Sequence, residues 1–142
     1  MTIFVDTNVL LDYLLGRTEF FAAARTIFAI CEKKHVPGYI SALSIPNIVY
    51  IMRKQLSAEK TSEVIDTLLH IFKVADLKAD DLPKAARLGF PDFEDALQSV
   101  AATRVKASFL ITRNLKDFTN SKVTALTPTE LLTRLKDETT EA

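Results

Sequence analysis

Cysteine is nearly absent from this chain. Cys31 stands alone among 142 residues, so no internal disulfide can form, and a reducing compartment, the cytoplasm, is the expected setting. Its spacing from Ala24, Ile27 and Phe28 predicts a packed thiol with no redox role. Glycine and proline number only three and five, which leaves little linker and no glycine-rich loop to cradle a phosphate. The two histidines, His35 and His70, lie far apart and offer no zinc cage. No apolar run approaches the roughly 20 residues of a membrane span. The N-terminus has no basic start before a long apolar segment, so no signal peptide is expected. Charge of one sign is not in excess either, with 18 Lys plus Arg against 18 Asp plus Glu. That balance argues against a scaffold that grips nucleic acid over a broad basic surface. It leaves open an enzyme that reaches phosphate through metal ions.

What is present fits one globular domain: 48% apolar and 25% charged residues, in a chain long enough for a sizeable core. The chain is organised around Ile3-Phe4-Val5-Asp6-Thr7-Asn8-Val9-Leu10-Leu11. Three apolar residues end in a carboxylate and a short polar stretch, then apolar spacing resumes, which reads as a buried strand, a turn and a helix. Asp6 is thereby placed at the carboxyl end of a strand, where open α/β sheets bind their ligands.

The remaining pattern alternates in the same way. A helix from Asn8 stops near Gly16; Thr18 is the expected cap of a second helix carrying Phe20, Phe21, Ala24, Ile27, Phe28 and Cys31. Pro37-Gly38 turns into a strand at Tyr39-Ile40-Ser41. Ser44 is the expected cap of a helix with Pro46 in its first turn, and Ser57 of one burying Val64, Ile65, Leu68, Leu69 and Phe72. Val74-Ala75 is a weak strand, and Asp81 the expected cap of a helix stopped by Gly89. A helix opened by Pro91-Asp92 buries Phe93, Ala96, Leu97, Val100 and Ala101. Phe109-Leu110-Ile111 is a strand apolar throughout, hence central. Val123 to Leu126 is a weaker fifth, and Thr127-Pro128-Thr129-Glu130 a capping box. The predicted fold is α/β: an α/β/α sandwich with a short parallel sheet of about five strands, formed by residues 1–136, with 137–142 a frayed polar tail.

Three acidic stretches can meet. Asp6 ends the first strand; Asp92 and Asp95 lie i, i+3 at a helix start; Asp117 follows the fourth strand in Thr112-Arg113-Asn114-Leu115-Lys116-Asp117. Plainer readings stand beside each: Asp6 or Asp92 as helix caps, and the late loop as a surface turn. Glu94 is expected to point away into solvent. Carboxylates gathered at one spot repel one another unless a cation neutralises them, and hard oxygen donors select Mg2+ or Mn2+.

Four stretches together carry a resemblance: Ile3 to Leu10, Ile40-Ser41-Ala42-Leu43-Ser44-Ile45-Pro46-Asn47, Asp92-Phe93-Glu94-Asp95-Ala96-Leu97-Gln98, and Leu110 to Phe118. In order and spacing they resemble the PIN domain, a nuclease family that includes toxins of toxin–antitoxin pairs. The resemblance covers nearly the whole chain. It implies a Mg2+- or Mn2+-dependent ribonuclease with Asp6, Asp95 and Asp117 as catalytic acids and Asp92 as an additional metal ligand. Asn8, Ser41, Asn47, Thr112, Arg113 and Asn114 are the candidates for holding substrate. It further implies an RNA substrate, an antitoxin partner and a homodimer, with no membrane association. Two positions depart from the family pattern: Asn47 replaces a glutamate common after the second strand, and Thr112-Arg113-Asn114 replaces Thr-x-Asp. Those amides motivate an alternative, a catalytically weak or inactive module that binds RNA or protein. A phosphatase with a nucleophilic Asp is a second alternative, but it wants Asp-x-Asp where this chain has Asp6-Thr7-Asn8.

Overall fold

The computed structural model describes residues 1–141, with side chains described through Glu138. Five parallel strands form one sheet: β1 (Ile3–Val5), β2 (Gly38–Ser41), β3 (Lys73–Ala75), β4 (Phe109–Ile111) and β5 (Ala125–Leu126), in the order β3-β2-β1-β4-β5. The predicted α/β/α sandwich is therefore the fold. β1 is central, pairing Ile3 with Gly38 on one side and with Phe109 on the other. Crossovers leave β1 in opposite directions across the sheet, so the gap between the carboxyl ends of β1 and β4 is the topological switch point, the natural ligand crevice of such sheets.

Strand alternation sorts the core into two layers. Ile3 and Val5 face a large cluster built with α1 (Thr7–Leu14), α2 (Phe21–Glu32), α4 (Ala58–Ile71) and Leu131 of α7 (Pro128–Glu141). Phe4 and Leu110 face the other layer, where α6 (Phe93–Arg104) packs small residues, Ala101 and Ala102, against the sheet. Alanines at this contact let α6 approach closely, which brings its first turns to the carboxyl edge of the strands. The remaining helices, α3 (Ser44–Ile51) and α5 (Asp81–Ala86), follow β2 and β3.

Three expected caps form, Asp92 at the start of α6 among them. Ser57 Oγ accepts from the Lys60 N–H at 3.2 Å, and Thr127 and Glu130 exchange both bonds of the capping box, at 2.9 and 3.1 Å. Three do not. α2 starts at Phe21 after turn residues, with Phe20 rather than Thr18 as its cap; Leu43 caps α3, and Asp80 caps α5. Two of these polar side chains have other partners: the Ser44 hydroxyl shares a 2.6 Å hydrogen bond with Thr7, and Asp81 pairs with Arg104 at 2.6 Å. Lys34 likewise serves another helix, its ammonium donating to the His70 and Ile71 carbonyls that end α4.

Burial also departs from the helical stripes at Phe93 and Leu69, 46% and 52% exposed. Asp92, Phe93 and Glu94 are all exposed, so the first turn of α6 projects past the layer it packs on. On α4 the buried stripe is narrow, through Leu68 and Ile71, and Leu69 is rotated off it. The fifth strand is shorter than expected, because Val123 packs in the core outside the ladder. Helix α7 continues past Lys136 to Glu141; Ala142, the end of the expected tail, lies outside the described residues.

Gly38 does not sit in a turn; it is the first residue of β2. A Cβ there would lie 2.7 Å from Cys31 Sγ and 2.9 Å from Phe72 Cδ1, so β2 reaches the thiol and ring only because the side chain is missing. Gly38→Ala is expected to lower stability by about 1–3 kcal/mol through overpacking. Urea denaturation measures this, and an unchanged midpoint would mean that the ring and thiol yield freely.

Candidate active site

The local sequence at Asp6 explains its role. Apolar Ile3-Phe4-Val5 commits the chain to the sheet centre, and the Asp6 N–H continues the ladder by donating to the Ile111 carbonyl at 2.9 Å. Asp6 occupies the cap position of α1 in an extended conformation, yet its side chain makes no cap hydrogen bond. The carboxylate turns instead between β4 and α6. Thr112 Oγ1 donates to Oδ2 at 2.8 Å and Gln98 Nε2 donates to Oδ1 at 2.9 Å. Asp6 is 3% exposed, and burial raises its pKa against the lowering effect of these hydrogen bonds.

Around it opens a cavity of about 350 Å³ whose walls carry five carboxylates, Asp6, Asp92, Glu94, Asp95 and Asp117, and no lysine or arginine. Asp92 caps α6, accepting from the Asp95 N–H at 3.1 Å, so its plain reading as a cap and its place in the cleft both hold. Asp95 is half-buried, one turn before Gln98 on the same helix face. Burial and then the negative charges of Asp6, Asp92, Asp117 and Glu94 push its pKa up to about 7. Asp117 comes from a 3₁₀ turn at Leu115–Phe118, anchored by buried Phe118.

Of the side chains expected to hold substrate, Asn8, Asn47 and Asn114 line the cleft. The other three are engaged elsewhere. The Ser41 hydroxyl accepts from the Leu43 N–H at 3.0 Å and shapes the turn after β2. Thr112 is fully buried, donating to Asp6 and accepting from the Asn114 N–H at 3.1 Å. Arg113 pairs with Asp12 at 2.7 Å and stacks on the Phe20 ring at 4.1 Å, so its guanidinium is committed to the protein. Glu94, expected in open solvent, is exposed but lies on the cleft wall, where it accepts from Asn47 Nδ2 at 3.2 Å.

Sequence reasoning passed over Gln98 and Asp12. Gln98 stands three residues after Asp95, and a buried amide among Ala96, Leu97 and Ser99 needs a polar partner. Asp12 is a lone acid within Val9-Leu10-Leu11-Asp12-Tyr13-Leu14; 1% exposed, it is held by Arg17 at 3.2 Å and by Arg113. A charge in an apolar run demands such a counter-ion.

The donor chemistry suits a hard divalent cation: carboxylate and amide oxygens, one carboxylate buried, and like charges that raise the Asp95 pKa for want of a counter-charge. Among the described residues no three acidic, histidine or cysteine side chains form a ready-made cage. Mg2+ does not require one, since it keeps several waters and binds through one or two carboxylates. Asp6, Asp95 and Asp117 are side chains that could hold a divalent cation, with Asp92 and Glu94 beside them.

A family model described as PIN domain matches residues 2–116. Among solved structures, similarity extends to a toxin–antitoxin complex from Klebsiella pneumoniae, at 23% identity and a TM-score of 0.66, over 90% of this chain and 98% of that one. VapBC2 from Rickettsia felis, bound to a DNA fragment from its promoter, gives 17%, 0.68, 89% and 98%. VapC20 from Mycobacterium tuberculosis, a sarcin–ricin loop cleaving toxin, gives 16%, 0.61, 77% and 87%. At these identities the structures establish likeness of fold. A search of curated proteins finds no match to the chain.

The raised pKa of Asp95 has a signed consequence for stability. The folded state binds this proton more tightly than the unfolded chain does, so the contribution is present below the ordinary value of 3.8 and is lost as pH rises through about 7. Asp6 acts in the same sense. In chelator, the melting temperature of the wild type is expected to fall more steeply between pH 5 and pH 8 than that of Asp95→Asn. Parallel curves in differential scanning fluorimetry would refute the crowding of charge.

Proposed function

From the premise that this chain belongs to the PIN domain family, we propose that it is a metal-dependent endoribonuclease acting as the toxin of a toxin–antitoxin pair. The observation that carries this reading is the cleft itself. Five carboxylates and no basic side chain converge where β1 and β4 diverge, around a buried Asp6 locked by two hydrogen bonds. A bound Mg2+ or Mn2+ would supply charge neutralisation and a more acidic water opposite a phosphodiester.

The chain's own residues do the rest. Thr112 and Gln98 fix both oxygens of Asp6, so the first acid is pre-organised and cannot swing toward solvent. Asp95 and Asp117 approach from α6 and from the 3₁₀ turn, on other sides of the cleft. Hydrolysis adds water across one P–O bond; the attacking water loses a proton and the leaving oxygen gains one. The amides of Asn8 and Asn114 can donate to the non-bridging phosphate oxygens that carry the growing charge. Asn47 stands where the family resemblance expects glutamate, and it holds Glu94 by its amide. The missing charge is thus made up from the neighbouring helix.

An antitoxin segment lying over the cleft is part of the same reading. Tyr50, 65% exposed, and Ile51, 46% exposed, form apolar wall at the mouth, and Phe93 is exposed nearby on α6. The Klebsiella pneumoniae relative is itself a toxin–antitoxin complex. A homodimer is proposed with it, and light scattering at micromolar concentration tests it; a strict monomer would count against it.

A second reading, a module that binds RNA or protein with little or no cleavage, is favoured by the amides at Asn47 and Asn114 and by the lack of a ready-made cage among the described residues. Incubating single-stranded RNA with the purified protein and Mg2+ or Mn2+ separates the two. Cleavage is expected, and Asp6→Asn or Asp95→Asn should reduce it by at least ~100-fold, several kcal/mol of lost charge stabilisation, with the circular dichroism spectrum retained. Wild-type rates from the Asp6→Asn protein would remove the carboxylate cleft from the reaction.

A further inference from the structure

Helix α6 has two working edges. Asp95 and Gln98 line the acidic cleft, whereas Ser99, Thr103 and Arg104 line a second cavity of about 490 Å³, walled by α5 and by Lys122. Cations dominate this second cavity. Arg104 is committed, paired with Asp81 and donating to the Asp76 carbonyl. Lys84, Arg87 and Lys122 are exposed, and none of the three forms an ion pair among the described residues. Ser99 on its wall is held in place, its hydroxyl 2.9 Å from that of Ser121 behind it.

A smaller cavity, about 230 Å³, adjoins the acidic cleft. It contains Lys116 and half-buried Phe90, and it shares Asp117 with the acidic cleft. At its far side Asn120 Nδ2 donates to the carbonyl of Leu88, a residue of the basic cavity. The three cavities therefore neighbour one another, and a surface path leads from the carboxylates past Lys116 to Lys84, Arg87 and Lys122.

We propose that this path is a track for the phosphodiester backbone of single-stranded RNA on one side of the bond that is cut. The proposal rests on the ribonuclease reading and assigns it a substrate-binding surface. The physical need is plain: a cleft of five carboxylates repels a polyanion, so the strand has to be held by cations within reach of it. A chain with equal numbers of acids and bases can do this only by segregating them, and Lys116, Lys84, Arg87 and Lys122 gather in neighbouring cavities. The reach matches a short oligonucleotide, since Asp95 and Arg104 lie about 13 Å apart along the axis of α6. Phe90, part-exposed and packed in a T-shaped contact with Phe118, puts an aromatic ring on the wall of the small cavity, where single-strand grooves use rings to stack bases.

Fluorescence anisotropy of a labelled single-stranded RNA, in EDTA so that the strand stays intact, tests the track across a range of NaCl. The triple variant Lys84→Gln, Arg87→Gln, Lys122→Gln is expected to bind at least about tenfold more weakly at low salt. Its log K against log salt slope should be shallower by about 2, from three lost phosphate contacts at about 0.7 each. A control triple, Arg25→Gln, Lys33→Gln, Lys60→Gln, removes equal charge from exposed positions outside the path and should change little. Equal losses in both triples, unchanged affinity in the first, or no RNA binding by the wild type would each overturn the track. So would displacement of the RNA by a poly-glutamate peptide of equal charge, which would make the occupant an acidic protein segment. RNA binding that needs the three cations, without cleavage in Mg2+ or Mn2+, supports the track and sinks the nuclease reading. Wild-type cleavage and KM in the triple variant would do the reverse.

Discussion

One buried carboxylate ties the sheet to the helix that works with it. Asp6 terminates the central strand, and its two oxygens are held by Thr112, at the end of β4, and by Gln98, on α6. These two bonds join elements about a hundred residues apart in sequence and set the spacing of everything in the cleft. Without them a carboxylate 3% exposed would be desolvated and unmatched, a penalty of several kcal/mol. With them, the acid is oriented before any ligand arrives. Gln98 Oε1 remains a buried oxygen without a hydrogen-bond partner among the described residues, on the wall of the same cleft.

A second buried acid supports the first at a distance. Asp12 lies one and a half turns further along α1 and collects Arg17 and Arg113, while Arg113 stacks on Phe20. The loop after β4 is thereby tied to the layer of α1 and α2. Thr112 and Asn114 flank Arg113, so a cation that looked ready for phosphate instead holds the loop that carries a ligand of Asp6. An arginine with its planar fork suits that bidentate task better than a lysine would.

Neutral overall charge conceals strong local order. Acids face one another around Asp95, whose pKa is pushed up to about 7 by burial first and then by their combined field, and bases with no ion pair among the described residues gather in the neighbouring cavity beside α5 and α6. Composition averages over this arrangement, and a chain of 18 bases and 18 acids looks electrostatically featureless until it is folded. The same helix, α6, presents acids at its first turn and a basic cavity at its last, in keeping with the direction of its dipole.

The sequence by itself determined the layer architecture, the order of the elements and the convergence of Asp6, Asp92, Asp95 and Asp117. These follow from local rules: strand and helix periods, an acid directly after an apolar run, and acids at the start of a helix. Tertiary structure alone decided which polar side chain met which. Thr112, Arg113 and Ser41 read as ligands for a substrate because exposed and structural polar residues look alike in one dimension; folded, each found a protein partner. Ser44 and Asp81 sat where caps belong, but a cap is worth only about 1 kcal/mol, and a long-range hydrogen bond or ion pair at the same site competes with it. Gln98 and Asp12 drew no role and Glu94 was expected in open solvent, because what they do depends on residues 92, 101 and 47 positions away. Hydrophobic period is encoded along the chain; the pairing of charges and amides is settled only when distant elements are brought into contact.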